Sequence, residues 1–168
     1  MRRVVIVGCS GSGKSHLSTA LARRLGLRVI HADKVFWKPG WTDPDNEAYR
    51  YEIERLTLDD GWIFDGIPGR VADIVLPRAD TVIWLDQPTM LCAIRAYGRM
   101  FRYFGRTRPD MAEGCPERFS LRPWQYASSF NTVMRPRIEG WLYAYAPKTP
   151  VIRLKGDRQV AMFLSQKA

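Results

Sequence analysis

One octapeptide near the start, Gly8-Cys9-Ser10-Gly11-Ser12-Gly13-Lys14-Ser15, constrains this chain more than any other segment. It matches G-x-x-x-x-G-K-[ST] at every fixed position. Val4-Val5-Ile6-Val7 before it is a continuous β-branched run, the pattern of a strand buried on both faces. After it, Leu17, Leu21 and Leu25 recur at helical spacing, and Gly26 stands where a helix stops. A buried strand that turns through glycines into a helix aims backbone N–H groups and the positive end of the helix at one point. Such a turn holds a phosphate group. Gly8, Ser10, Gly11, Ser12 and Gly13 would form its cradle, with Lys14, Ser15 and His16 opening the helix. The Lys14 amine can bridge β- and γ-phosphates, and Ser15 Oγ can ligate Mg²⁺.

The rest of the chain alternates between the two periodicities. Leu27–Ile30, Trp62–Asp65, Thr81–Asp86 and Val151–Leu154 read as further strands, three of them running into an acid at Asp33, Asp65 and Asp86. Thr42 with Asp45 resembles a capping box, and Pro44 suits a first helical position before a helix through Tyr49, Ile53 and Leu56. A short helix over Val71–Leu76 follows the third strand. Pro88 opens a helix whose apolar side is read as Leu91, Ile94, Met100 or Phe101, and Phe104. Gly105–Pro123 lacks periodicity and reads as a flexible loop. A helix through Phe130, Val133, Ile138, Trp141 and Leu142 would be interrupted at Pro136, and Val160–Leu164 closes the chain as a short helix. Strand–helix alternation predicts an α/β fold: a five-stranded parallel sheet flanked by helices, with ligands beyond the carboxyl ends of the strands. With 168 residues the chain has the length of one domain.

The charge is unevenly spread. The formal net charge is +9, yet twelve basic and twelve acidic residues balance up to Gln87, against fourteen and five beyond it. From Arg95 to Arg137 there are nine arginines and no lysine: Arg95, Arg99, Arg102, Arg106, Arg108, Arg118, Arg122, Arg135 and Arg137. Pure arginine points to forked recognition of phosphate or carboxylate, on a nucleic acid or on a small phosphorylated ligand. No apolar run approaches the ~20 residues of a membrane helix. The three cysteines have no metal-ligand spacing and read as reduced thiols, which suits the cytoplasm. Nothing in the sequence specifies an oligomeric state.

The octapeptide and its flanks place the chain with the P-loop NTPases. The Asn-Lys-x-Asp guanine motif of G-domain GTPases does not occur. Asp65-Gly66-Ile67-Pro68 resembles the Asp-Gly-Phe-Pro-Arg segment of adenylate kinases, with Gly69 intervening before Arg70. Asp86-Gln87-Pro88, with Arg95 and Arg99 on the next helix, resembles their fourth strand and pre-lid helix. A closer likeness is to the small P-loop proteins known as DNA topology modulation (FlaR-like) proteins. Its carriers are His31-Ala32-Asp33, Trp37-Lys38-Pro39-Gly40-Trp41, Ala79–Asp86, Gly105–Met111, Glu113–Glu117 and Arg135–Glu139. These resemblances imply a nucleoside-monophosphate-kinase-like or shikimate-kinase-like fold with an arginine-rich lid over residues 105–123 and an acceptor-binding region over residues 34–60. The implied activity is ATP- and Mg²⁺-dependent phosphoryl transfer to a small nucleotide or hydroxyl-bearing metabolite.

Individual residues carry the chemistry of that reading. Lys14, Asp33, Arg99, Arg135 and Arg137 are the catalytic candidates: Asp33 as orienter of the acceptor hydroxyl, the cations as neutralisers of the moving phosphoryl group. By resemblance, Arg95 touches the donor base and Arg99 its phosphates. Ser15 and Asp65 would hold Mg²⁺; Asp86 fits either a metal role or a helix cap. Asp33, Trp37, Trp41 and Arg70 would meet the acceptor, although the two tryptophans fit a small hydrophobic cluster equally well. His31, without a partner pattern, reads as structural. The charge leaves a rival function open, a nucleotide-regulated DNA-binding protein, less favoured because no base-reading module is visible. An ATPase without a separate acceptor is the third.

Overall fold

The computed structural model describes residues 1–166. β1 (Arg3–Gly8) lies at the centre of the sheet, between β3 (Trp62–Asp65) and β4 (Thr81–Leu85). β2 (Arg28–His31) and β5 (Val151–Leu154) form the edges, giving the order β2-β3-β1-β4-β5 with every pairing parallel. The apolar run of β1 is continuous because both faces are covered. Val4 and Ile6 pack under α1 (Lys14–Leu25) and α8 (Gly156–Gln166), against Leu17, Leu21 and Phe163. Val5 and Val7 point the other way, into the layer of α3 (Asn46–Leu56), α4 (Ala72–Arg78) and α7 (Arg135–Tyr145), with Ile53, Val75 and Ile138. Two shorter stretches lie between these elements: α2 (Ala32–Phe36) after β2, and a 3₁₀ turn over Gly69–Val71 before α4. Among the described residues no helix is long and apolar enough to cross a membrane.

Several local expectations are corrected. The cap of α3 is Asp45, whose side chain accepts the Glu47 N–H at 3.3 Å; Thr42 instead bridges back to Lys38. α5 (Thr89–Arg102) buries Cys92, Ala93, Ala96 and Met100, not the face with Ile94 and Phe101, which are 61% and 67% exposed. Small residues win that face because the helix lies against the backbone of the glycine loop, where large side chains have no room. The long helix after the lid starts earlier than the apolar pattern suggests. α6 (Arg122–Ser129) runs without a break into a π turn over Phe130–Met134 and then into α7. Pro136 has no N–H and its ring crowds the carbonyl four residues back, so the preceding turn widens and Arg135 N–H reaches Phe130 O. α8 is also longer than the expected Val160–Leu164.

Candidate active site

Parallel pairing brings the strand ends together. In register, Ile6 pairs with Asp65, His31 with Asp65, and Gly8 with Leu85. The glycine loop leaves β1 at that level. Gly11 has a φ of 84°, and a Cβ there would stand 2.1 Å from the Cys92 carbonyl oxygen of α5. Only a residue without a side chain allows this approach. Lys14 folds over its own loop, Nζ donating to Gly8 O at 3.0 Å and Cys9 O at 2.9 Å. Burial pushes the Lys14 ammonium below the ordinary lysine range, against the pull of Asp65 and Asp33. The Ser12 hydroxyl is buried with no partner among the described residues.

Two acids approach from the second and third strands. Asp65 is buried, and its Oδ2 lies 2.8 Å from His31 Nδ1. His31, read from sequence as structural, is therefore part of the site, and the register between two parallel strands makes it so. Asp33 is exposed to the open cavity. Partial desolvation there pushes its carboxyl above the ordinary aspartate value, while Lys14 and Arg108 pull it down.

The segment from Gly105 to Leu121 is held down, not loose. Glu117 N donates to Arg106 O at 3.0 Å and Gly105 N to Glu117 O at 2.9 Å, closing the segment on itself. Its inner side then docks on the Trp-rich segment. Gly40 N donates to Gly114 O at 2.8 Å, and Trp41 Nε1 donates to Pro116 O at 2.9 Å. Trp37 and Trp41 pack around Met111, Ala112 and Cys115. The two tryptophans thus pack against the lid and also line the cavity.

Under the lid, Arg108 is only 7% exposed; its Nε lies 2.5 Å from Glu117 Oε1, an ion pair without hydrogen-bond alignment, and Nη1 lies 3.2 Å from Asp110 Oδ2. Asp110 in turn accepts the Ser15 hydroxyl at 2.9 Å. Arg99 donates from Nη2 to Ser10 Oγ at 3.3 Å, while its buried Nε has no partner among the described residues. Burial and the neighbouring Arg108 charge push its guanidinium below the ordinary arginine value.

These groups face a cavity of about 690 Å³. Of the residues singled out from sequence, Ser10, Lys14, Asp33, Trp37, Trp41, Arg99, Arg108, Arg118 and Arg122 line it. A smaller space of about 50 Å³ below adjoins Ser15 and Asp65. Arg135, Arg137, Arg95, Arg70 and His16 are not brought to either space. Arg135 is drawn to Asp86 and lies over the Trp84 ring at 5.6 Å. Arg95 pairs with Asp157 at 2.5 Å, and Arg70 lies over the Phe36 ring at 5.1 Å. Arg137 and His16 are exposed. Sequence reasoning missed His31, Asp110, Glu117 and Tyr126, the last a cavity-wall residue on α6. The one legible signal was Asp110 standing two residues from Arg108 in a stretch otherwise dominated by arginine.

The donor chemistry fits a magnesium nucleotide. Ser15 Oγ and the carboxylates of Asp65, Asp33 and Asp110 border one small space, all hard oxygen donors. Among the described residues no three or more His, Cys, Asp or Glu side chains are arranged as a metal cage. Mg²⁺ takes few protein ligands and completes its shell with water and phosphate. The glycine cradle, the curled Lys14 and the unpartnered Arg99 Nε suit the phosphates themselves.

No family model matches this chain. It is 25% identical over 166 residues to the uncharacterized protein YqaC of Bacillus subtilis (strain 168), covering 95% of this chain and 91% of that protein. Among solved structures it is similar to shikimate kinase from Acinetobacter baumannii in complex with shikimate, at 16% identity and TM-score 0.61, covering 99% of this chain and 90% of that one. A gluconokinase from Sinorhizobium meliloti matches at 16% identity and TM-score 0.58, over 99% of this chain and 89% of that one. Deoxyadenosine kinase from M. mycoides matches at 13% and 0.52, over 97% of both chains. The five-stranded parallel sheet with its glycine loop after β1 is thus the fold of P-loop kinases.

Proposed function

We propose that this protein is a P-loop phosphotransferase that moves the γ-phosphoryl group of ATP to a small acceptor bound under the lid. The observation that carries the reading is the convergence of Lys14, Arg99 and Arg108 on one walled cavity beside the glycine loop, with Asp33 facing the same space. Arg108 is paired with Glu117 and Asp110, but among the described residues the Arg99 side chain bonds only the Ser10 hydroxyl and Lys14 only loop carbonyls, so both have donors that a phosphate would take up. The kinase fold supports the same reading.

Gly8–Gly13 would wrap the β-phosphate with backbone N–H groups, and Lys14 would leave its loop carbonyls to bridge β and γ. Mg²⁺, held by Ser15 with Asp65 close by, would neutralise charge on the phosphate oxygens. Arg99 and the lid residues Arg108, Arg118 and Arg122 would hold the equatorial oxygens and the acceptor in line. Asp33 would accept the acceptor hydroxyl proton as that oxygen bonds to the γ-phosphorus and the bond to the β–γ bridging oxygen breaks. Trp37, Trp41 and Tyr126 would wall the acceptor from water. The nine-arginine stretch is read as a phosphate clamp in part, since only Arg99, Arg108, Arg118 and Arg122 face the cavity.

The likeness to FlaR-like proteins belongs to this proposal. His31–Asp33, Trp37–Trp41, Gly105–Met111 and Glu113–Glu117 gather around the cavity and under the lid, so we read what they share as a substrate site. To test the function, purified protein is incubated with ATP, Mg²⁺ and a panel of nucleosides, nucleotides and hydroxy acids, with ADP formation followed. Acceptor-dependent ADP release that is lost in Lys14→Ala is the expected result. Failure of every acceptor, together with unchanged ATP binding by Lys14→Ala, refutes it.

A further inference from the structure

In a P-loop NTPase the serine after the lysine meets the metal through an oxygen lone pair, and a strand-end aspartate assists. Here one oxygen of the strand-end aspartate is already engaged. Asp65 Oδ2 lies 2.8 Å from His31 Nδ1, and the strand register fixes that pair. The Ser15 hydroxyl turns instead to the lid, donating to Asp110 Oδ2 at 2.9 Å across 95 residues of sequence.

We infer that Asp110, carried on the lid, is the positioning residue for Ser15, so that docking of the lid sets the metal-binding face of the P-loop. A hydroxyl has one proton and two lone pairs. With the proton fixed on Asp110, the lone pairs turn toward the remaining directions, including the small space between Ser15, Asp65 and Asp33. Asp110 is itself anchored. Arg108 grips it and is held from behind by Glu117, and both sit in the segment clasped by Trp41, Gly40 and Lys38 through Pro116, Gly114 and Cys115. Metal loading and lid docking are thereby linked through one hydrogen bond.

The inference rests on the phosphotransferase reading, and the test separates the two. Binding of ADP and of a non-hydrolysable ATP analogue is measured by calorimetry in excess Mg²⁺ and in EDTA, for wild type, Asp110→Ala, Asp110→Asn, Ser15→Ala and the double Ser15→Ala/Asp110→Ala. Wild type should bind more tightly with Mg²⁺. Asp110→Ala should lose about tenfold or more of that magnesium-linked gain, the range for removing an outer-shell partner of a metal ligand, with metal-free affinity unchanged. Asp110→Asn, whose amide oxygen still accepts the Ser15 proton, should keep an intermediate gain and carries the test if the alanine variant does not fold. In the Ser15→Ala background, Asp110→Ala should have no further effect. A full magnesium gain in both Asp110 variants overturns the inference. So does metal-free binding that tightens when Asp110 is removed, because the carboxylate would then be a plug that nucleotide displaces. Wild type that binds no nucleotide under either condition overturns the phosphotransferase reading, and the inference with it.

Discussion

Gly11→Ala tests how the loop and α5 fit together. The new methyl would stand 2.1 Å from the Cys92 carbonyl oxygen and 3.1 Å from the Ala96 nitrogen, and real Cβ atoms almost never come within 3.0 Å of a neighbour. The obstructing atoms are backbone in a helix whose Cys92 and Ala96 are fully packed, so neither side yields cheaply. Gly13 is the internal control: its φ of 97° is also left-handed, but nothing lies within 4 Å of a Cβ placed there. Gly13→Ala should cost only the left-handed conformation, about 1–2 kcal/mol. Gly11→Ala carries that cost plus overpacking of about 1–3 kcal/mol, or roughly 2–5 kcal/mol in all. Urea unfolding of both variants measures the difference, and with a slope of about 1–3 kcal/mol per molar the two midpoints should separate clearly. Gly11→Ala should also lose nucleotide affinity, since relief of the clash moves the loop N–H groups. Equal unfolding midpoints for the two variants would refute the packing argument.

Arg108→Ala leaves Asp110 and Glu117 facing each other with 22% and 13% side-chain exposure. Breaking fully buried pairs costs about 3–5 kcal/mol and exposed ones about 0.2–1, so this change should cost about 2–3 kcal/mol by denaturant titration and speed tryptic cleavage at Arg106 and Arg118. Trp41→Phe removes the bond to Pro116 O, worth about 0.5–1.5 kcal/mol, and should raise amide exchange at Gly114–Glu117 while leaving the sheet protected. Asp33→Asn should abolish turnover yet stabilise the apoprotein at neutral pH. Partial desolvation raises the Asp33 carboxyl above its ordinary 3.8, so ionising it disfavours the folded state. The gain should shrink as pH falls through the folded-state value and vanish below 3.8, where the carboxyl is protonated in both states. Melting temperatures across that range check the sign. For the same reason the acid limb of the activity profile should lie above the ordinary aspartate value of 3.8.

The fold was legible because its signals are local. Val4–Val7, the glycines and the Leu17, Leu21 and Leu25 stripe each report on their own neighbourhood, and strand–helix alternation leaves little choice but a parallel sheet. The placement of Lys14, Ser15, Asp33 and Asp65 beside the loop was legible for the same reason, since a motif at fixed spacing fixes its own geometry; Asp86, read as a metal ligand or a helix cap, is instead taken by Arg135 and caps nothing among the described residues. The errors fall where hydrophobicity and local contact disagree. Ile94 and Phe101 outrank Ala93 and Ala96 in apolarity, yet the small residues are buried because the partner surface is the loop backbone. Counting arginines could not show which ones face the cavity, because Arg95 and Arg135 are taken by Asp157 and Asp86 from distant parts of the chain.

Residues close in sequence therefore determined the phosphate loop, the strands and the class of fold. Tertiary structure alone decided the pairings: His31 with Asp65 by strand register, and Ser15 with Asp110 by docking of the lid. A hydrogen bond across 34 or 95 residues leaves no trace in local spacing, because its partners are chosen by which elements pack side by side.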